Sequence, residues 1–208
     1  MPRDATATKE RLLREAERLF ATRGVFRVKV ADIVEAAGQR NVSALSYHFG
    51  GRQDVLTAIL LRHGTPLDEE RGRLVAQLGE GPSTRDLVGA LLVPYGSKLS
   101  TPEGRSYLRI VAQLTADFQV WDAGGELSPP HLRRILGALG ERPAQVAPAV
   151  RRQRVVEAIM LMTSSIADRA RTLDQGDTPD LDHDTYLANL ADMIVGGLEA
   201  DSGPVLRG

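Results

Sequence analysis

The chain of 208 residues contains no cysteine, which excludes disulfides, thiolate metal sites and cysteine nucleophiles. Aromatic residues are scarce too, nine in all. Leu, Val, Ala and Ile carry most of the apolar mass, so the core is expected to form from helix faces. A β-sandwich would draw on more aromatic and β-branched residues. No run of about 18 uncharged apolar residues occurs, and Met1-Pro-Arg-Asp leads straight into charged residues. That pattern predicts a cytoplasmic protein without a membrane segment. Neither Gly-x-Ser-x-Gly nor Gly-x-x-x-x-Gly-Lys is present. His63, His131 and His183 lie far apart with no partner four residues away, so no metal site, cofactor or enzymatic activity is expected.

What is present is an ordinary globular composition, 42% hydrophobic and 25% charged, with an uneven distribution of charge. The formal net charge is −1, yet residues 1–52 hold ten Lys or Arg against six Asp or Glu, and the remainder sixteen against twenty-one. The N-terminal quarter is therefore net basic, as expected of a small module that meets a polyanion.

Periodicity predicts an all-α chain. Leu12, Leu13, Ala16, Leu19 and Phe20 mark a first helix from a Thr8 cap to Thr22, with Gly24 as its stop. Val30, Ile33, Val34 and Ala37 mark a second helix of about two turns, ending at Gly38. After Gln39-Arg40-Asn41 comes a short third, Val42 to Phe49, closed by Gly50-Gly51. A fourth is predicted over 52–63, loosened by Gly64 and Pro66, and further helices at about 67–79, 84–99, 102–119, 130–140, 145–174 and 181–199.

Three short helices with a tight turn between the second and third form a helix-turn-helix unit, in which the second braces the third so that its N-terminal end enters a DNA major groove. The turn and third helix present Arg40, Asn41, Ser43, Ala44 and Ser46. Arg matches guanine edges and Asn adenine edges, and small side chains permit close approach. Lys29, Tyr47, His48 and Arg52 are the candidate phosphate contacts. Arg52 stands out because a cation in the first turn of a helix opposes the helix dipole and needs an anionic partner.

These residues resemble a known family. Thr8-Lys-Glu-Arg-Leu-Leu-Arg-Glu-Ala-Glu-Arg-Leu-Phe20, Gly24, Val30-Ala-Asp-Ile-Val-Glu-Ala-Ala-Gly38 and Tyr47-His-Phe-Gly-Gly-Arg-Gln-Asp-Val-Leu56 resemble, in order, the DNA-binding domain of TetR-family bacterial transcriptional regulators. The likeness runs over residues 8–63. Here the turn is one residue longer than the family's usual one, Val28-Lys29 stands where Thr or Ser often opens the second helix, and Ser46 replaces a frequent Tyr. The resemblance implies a DNA-binding domain at residues 1–52, the helix 52–63 as connector, and a regulatory domain at 64–208. It also implies a homodimeric repressor that leaves a double-stranded DNA operator when a small-molecule effector binds.

Within residues 64–208, Val155, Ile159, Met162, Ile166 and Ala170 follow a three-four spacing, as do Leu187, Leu190 and Ile194. These faces are read as the dimer seam. Tyr95, Tyr107, Gln113, Phe118, Trp121, Met160, Met162, Thr163 and Ser164 could line an effector pocket, apolar with a few orienting groups. Two other readings keep the fold: a ligand-independent DNA binder with steep salt dependence, or a protein-interaction module without an operator.

Overall fold

Apolar residues recur every three or four positions along most of the chain, and among the described residues all regular structure is helical. The computed structural model describes residues 2–115 and 129–201, with side chains from residue 5 onward. The helices are α1 (Pro2–Arg23), α2 (Val30–Ala36), α3 (Ser43–Phe49), α4 (Arg52–Gln77), α5 (Thr84–Ser97), α6 (Pro102–Thr115), α7 (Pro130–Gly140), α8 (Pro148–Gln175) and α9 (His183–Glu199). One turn of 3₁₀ helix, Lys98–Ser100, links α5 to α6. α1 to α3 form the N-terminal unit, α4 leads away from it, and α5, α6 and α7 pack against α4, with α8 along α6 and α9 along α5.

Capping explains several boundaries. The Gly24 N–H reaches the Phe20 carbonyl at 3.2 Å with φ of 101°, a left-handed stop that β-carbon-bearing residues resist. The Ser83 hydroxyl accepts from the Asp86 N–H while the Asp86 carboxylate accepts from the Ser83 N–H, a reciprocal capping box at α5. Asp182 caps α9 by accepting from the Thr185 N–H at 2.8 Å.

Two boundaries differ from the periodicity reading. α1 begins at Pro2 rather than at Thr8. A proline in the first turn forfeits only an N–H that has no helical partner there, so nothing before Thr8 stops the helix. α4 does not end near His63 but continues through Gly64 and Pro66 to Gln77. Pro66 removes one helical hydrogen bond. The turn that follows is held from outside: the buried Asp68 carboxylate accepts from the backbone N–H groups of His131 and Leu132 at 3.0 and 2.8 Å. α4 thus supplies the anionic cap for the start of α7, and tertiary bonding outweighs the local breaker.

One apolar core runs through both parts, from Leu12, Phe20, Ile33, Leu45 and Ile59 to Leu92, Leu108, Ile110, Ile135 and Ile166. The residues read as a dimer seam belong to it. Val155, Met162, Ile166, Ala170, Leu190 and Ile194 are buried within the single chain, and Ile159 and Leu187 pack partly buried against the same core. Periodicity identifies an apolar face but not what covers it, and here other helices of the same chain do. The outward sides of α8 and α9 expose Met160, Leu161 and Met193 instead.

α6 starts in close contact with the 3₁₀ turn. A β-carbon at Gly104 would lie 2.2 Å from the Lys98 carbonyl oxygen, backbone that cannot yield as a flexible side chain would. Gly104→Ala is therefore expected to destabilise the fold by about 1–3 kcal/mol or more, lowering the denaturant midpoint in equilibrium unfolding; an unchanged midpoint would contradict this packing.

Candidate nucleic-acid interface

The exposed face of the N-terminal unit is built by α3 and the turn before it. Leu45 points into the core while Ser43 and Ser46 face solvent, a separation that follows from helical spacing on a seven-residue helix. Asn41 shapes the entry: its carbonyl accepts from the Ala44 N–H at 3.0 Å and its Oδ1 from the Ser43 N–H at 2.9 Å. Asn41 thus closes the start of α3, leaving its amide N–H₂ to donate elsewhere. Tyr47 is 82% exposed, with its ring edge-on to His48 at 5.0 Å between centroids. Arg40 and Lys29 are exposed; the Lys29 backbone N–H is taken by Asp32 Oδ2 at 2.7 Å.

An open groove of about 650 Å³ joins Asn41, Ser43, Ala44, Tyr47 and His48 with Gln39 and with Ala5 and Thr8 of α1. Five residues expected to meet DNA therefore share one surface. Local patterning places Thr8 as a cap at the helix start, but it lies on an early turn of a longer helix and lines the groove together with Ala5. Lys9, next along, holds its ammonium 5.3 Å from the Phe49 ring centroid.

Arg52 is not on this surface. Its Nε donates to the Val28 carbonyl at 2.8 Å and its guanidinium lies 5.0 Å from the centroid of the Phe20 ring. The Nη2 atom is buried without a hydrogen-bond partner. The partner that a cation at this helix start requires is thus an aromatic face and a backbone carbonyl, not phosphate. Arg52 ties α4 to α1 and to the loop before α2.

The residues read as an effector pocket divide among several places. Tyr95 and Tyr107 are buried side by side, ring centroids 6.5 Å apart, with Tyr107 stacked on His63 at 4.8 Å. Burial raises both phenols well above their ordinary value, Tyr107 to about 12. His63 Nε2 lies 2.7 Å from the buried Glu17 of α1. Gln113 and Ser164 line a different space, an open cleft of about 560 Å³ with Gly24, Arg27, Arg109 and Arg171. Thr163 is buried and donates to the Ile159 carbonyl, Met162 is in the core, and Met160 faces outward. Phe118 and Trp121 lie outside the described residues.

Sequence reading missed Glu17, His63 and Arg71 as members of the buried group. The signal was available: Ile59, His63, Leu67 and Arg71 are spaced four apart, so a titratable and a charged residue sit on an apolar helix stripe. Among the described residues no group of three His, Asp or Glu could hold a metal ion, and no helix is long and apolar enough to cross a membrane.

The three-helix unit and its exposed groove define a helix-turn-helix protein. A family model for bacterial regulatory proteins of the tetR family matches residues 12–59, so this N-terminal segment carries the pattern of that family's DNA-binding domain. Similar solved structures include NalD, the secondary repressor of the MexAB-OprM multidrug efflux pump in Pseudomonas aeruginosa. It is 21% identical, with 96% of this chain and 100% of that one covered and a TM-score of 0.56. AmtR of Mycobacterium smegmatis is 19% identical over 94% of this chain and 87% of its own, with a TM-score of 0.55. At these identities the likeness is one of fold. No curated protein sequence matches the chain.

The two arginines are expected to respond differently. Arg52→Ala, losing a π contact and a partly buried hydrogen bond, should lower stability by about 1–3 kcal/mol. Arg40→Ala should leave stability within about 0.5 kcal/mol. Thermal unfolding of the two variants decides this, and equal midpoints would refute the inward role of Arg52.

Proposed function

We propose that this DNA-binding regulator acts in the cytoplasm as a homodimeric repressor, released from a near-palindromic operator when a small effector binds. The observation that carries the reading is the grouping of Asn41, Ser43, Ala44, Tyr47 and His48 on one open groove, with exposed Arg40 and Lys29 as further candidate contacts. Residues 1–52 are assigned to DNA, α4 to the connection, and the rest to regulation. Arg40 and the Asn41 amide are the candidate base readers, while Ser43, Ala44 and Ser46 allow close approach. Tyr47, His48 and Lys29 are the candidate phosphate contacts.

Reading paired half-sites requires two copies related by a two-fold axis, with recognition helices about 34–36 Å apart. The outer sides of α8 and α9 suit the pairing, because Met160, Leu161 and Met193 are exposed there and Gly196 and Gly197 permit close helix approach. An effector need only favour one spacing of the two N-terminal units over another. A differential affinity of about 1–3 kcal/mol changes operator affinity roughly 5- to 150-fold.

Selection of bound duplexes from a random DNA library by the purified chain tests the reading. A two-fold symmetric motif is the expected product; survivors without a common motif at moderate salt would overturn operator recognition. With the selected duplex, Arg40→Ala should relax preference at one position per half-site at a cost of about 1–3 kcal/mol. Met193→Asp, which places charges face to face across the assigned seam, should shift the chain toward monomer in sedimentation and weaken operator binding while preserving helix content. An unchanged dimer would move the interface elsewhere.

A further inference from the structure

Four arginines converge on the open cleft that Gln113 and Ser164 line. Arg23 ends α1, Arg27 lies in the loop after it, Arg109 comes from α6 and Arg171 from α8. Among the described residues no carboxylate lines the space. Arg171 is paired with Asp168 at 2.6 Å, and Arg109 shares Asp174 with Arg105, at 3.4 Å from its own Nη1. Arg23 and Arg27 have neither an ion pair nor a side-chain hydrogen bond among the described residues. Three positive charges are thus in excess, two from Arg23 and Arg27 and one from the Arg105, Arg109 and Asp174 group. The carbonyl end of α1 offsets only about half a charge of this. Phe26, 70% exposed, holds a large apolar ring beside these cations, and Ala21, Ala112 and Ala167 keep the floor low. The space, about 560 Å³, has the size of a small-ligand site. It lies toward the opposite end of α1 from the groove beside α3, since Thr8 lines that groove and Thr22 this cleft, roughly 21 Å apart along the helix axis.

We propose that this cleft binds a nucleotide, its phosphates held by Arg23, Arg27, Arg109 and Arg171 and its base against the Phe26 ring, and that such a nucleotide is the effector. The effector role rests on the reading of the chain as an effector-responsive regulator; the binding does not. A guanidinium fork matches phosphate oxygens in pairs. The charge excess selects a ligand with more than one phosphate. A single carboxylate would leave most of the excess unanswered, whereas a terminal phosphate carries about 1.5 to 2 negative charges and a second phosphate adds to them. A flat heterocycle is the body that an exposed aromatic face and neighbouring guanidinium groups stack against. The position also suits a signal. Gln113 lines the cleft, and its amide joins the Phe20 carbonyl and the Val25 N–H to α6. Phosphates that bridge the arginines of α1 and its loop to those of α6 and α8 act on both sides of that tie, so occupancy favours one placement of the N-terminal unit over others.

The binding test uses the full-length chain without DNA, so a chain that selects no DNA motif can still bind the probe, and the reverse. Calorimetry and thermal unfolding are run at moderate salt with ADP, GDP, adenosine and inorganic pyrophosphate. At least one of the two nucleotides is expected to bind and raise the unfolding midpoint, pyrophosphate to bind about tenfold more weakly, and adenosine to leave the midpoint unmoved. Arg27→Gln and Arg109→Gln, one from each side of the cleft, should each weaken the nucleotide about tenfold or more. Arg134→Gln, at an exposed position of α7 outside the cleft, should not. Phe26→Ala, also at an exposed position, should fold as the parent does and weaken the nucleotide without changing pyrophosphate. The site is overturned if neither nucleotide binds, if adenosine binds equally, if pyrophosphate matches the nucleotides, or if the Arg27 and Arg109 variants bind as the parent does. An equal loss in Arg134→Gln also overturns it, as diffuse attraction of anions. If Arg27→Gln weakens DNA while nucleotide binding stays, the cleft arginines are duplex contacts and the proposal fails. With the selected operator duplex, saturating nucleotide is expected to change affinity about fivefold or more; an unchanged affinity removes the effector role and leaves operator recognition in place.

Discussion

The end of α1 is closed by a side chain from another part of the chain, and the placement of the N-terminal unit depends on that closure. Gln113 of α6 donates from Nε2 to the Phe20 carbonyl at 3.2 Å and accepts at Oε1 from the Val25 N–H at 2.7 Å. A helix end leaves carbonyls without partners, and the turn after it leaves N–H groups likewise. One amide side chain adds a second donor to the Phe20 carbonyl, beside the Gly24 N–H, and supplies an acceptor to the Val25 N–H, which neither a carboxylate nor an ammonium could do. The same Nε2 also donates to the Arg109 carbonyl one turn back on α6, at 3.0 Å, so the side chain is held by its own helix. A shift of α6 is therefore felt at Phe20 and Val25 first, and through Phe20 by Arg52 and the start of α4.

A second tie lies a few turns away along α1. Glu17 meets His63 of α4, and His63 stacks on Tyr107 of α6. α1 is thereby referred to α4 and α6 at two levels, by Gln113 at its end and by the Glu17–His63–Tyr107 series near its middle. Two separated attachments resist rotation where one would act as a pivot. The groove beside α3 is lined partly by the first turns of α1, so its orientation is set by the same attachments. This is an arrangement of contacts and becomes a route for coupling only if both ends bias two discrete states.

Much of the fold was legible in the sequence because the helices are amphipathic and their ends are chemically marked. Gly24 stops α1 where local chemistry predicts, and Gly38 and Gly50 likewise follow α2 and α3 with positive φ. The misreadings share one physical cause, which is that distant contacts decided them. Pro66 looked like an end because its local effect is to break a helix, but Asp68 and its bonds to α7 lie more than sixty residues away in sequence. Arg52 looked outward-facing because an exposed cation at a helix start needs an anion, and nothing local reveals that Phe20 and the Val28 carbonyl stand in for one. The apolar stripes of α8 and α9 were correctly seen as packing faces, yet a stripe has the same spacing whether its partner is the same chain or another.

The residues that share the groove beside α3 could be grouped from the sequence because they sit within one short segment, where helical spacing alone settles which side chains share a face. The buried group is assembled otherwise. Glu17, His63, Arg71, Tyr95 and Tyr107 come from four helices, α1, α4, α5 and α6, and no periodicity of any one of them predicts the meeting. What each helix does carry is a polar or charged residue on a side that is otherwise apolar. Such a residue lowers the stability of its own helix packing unless another element answers it. Glu17 and His63 answer each other and Asp68 lies 4.0 Å from Arg71, while Arg71 Nε and the Tyr95 hydroxyl remain without a hydrogen-bond partner.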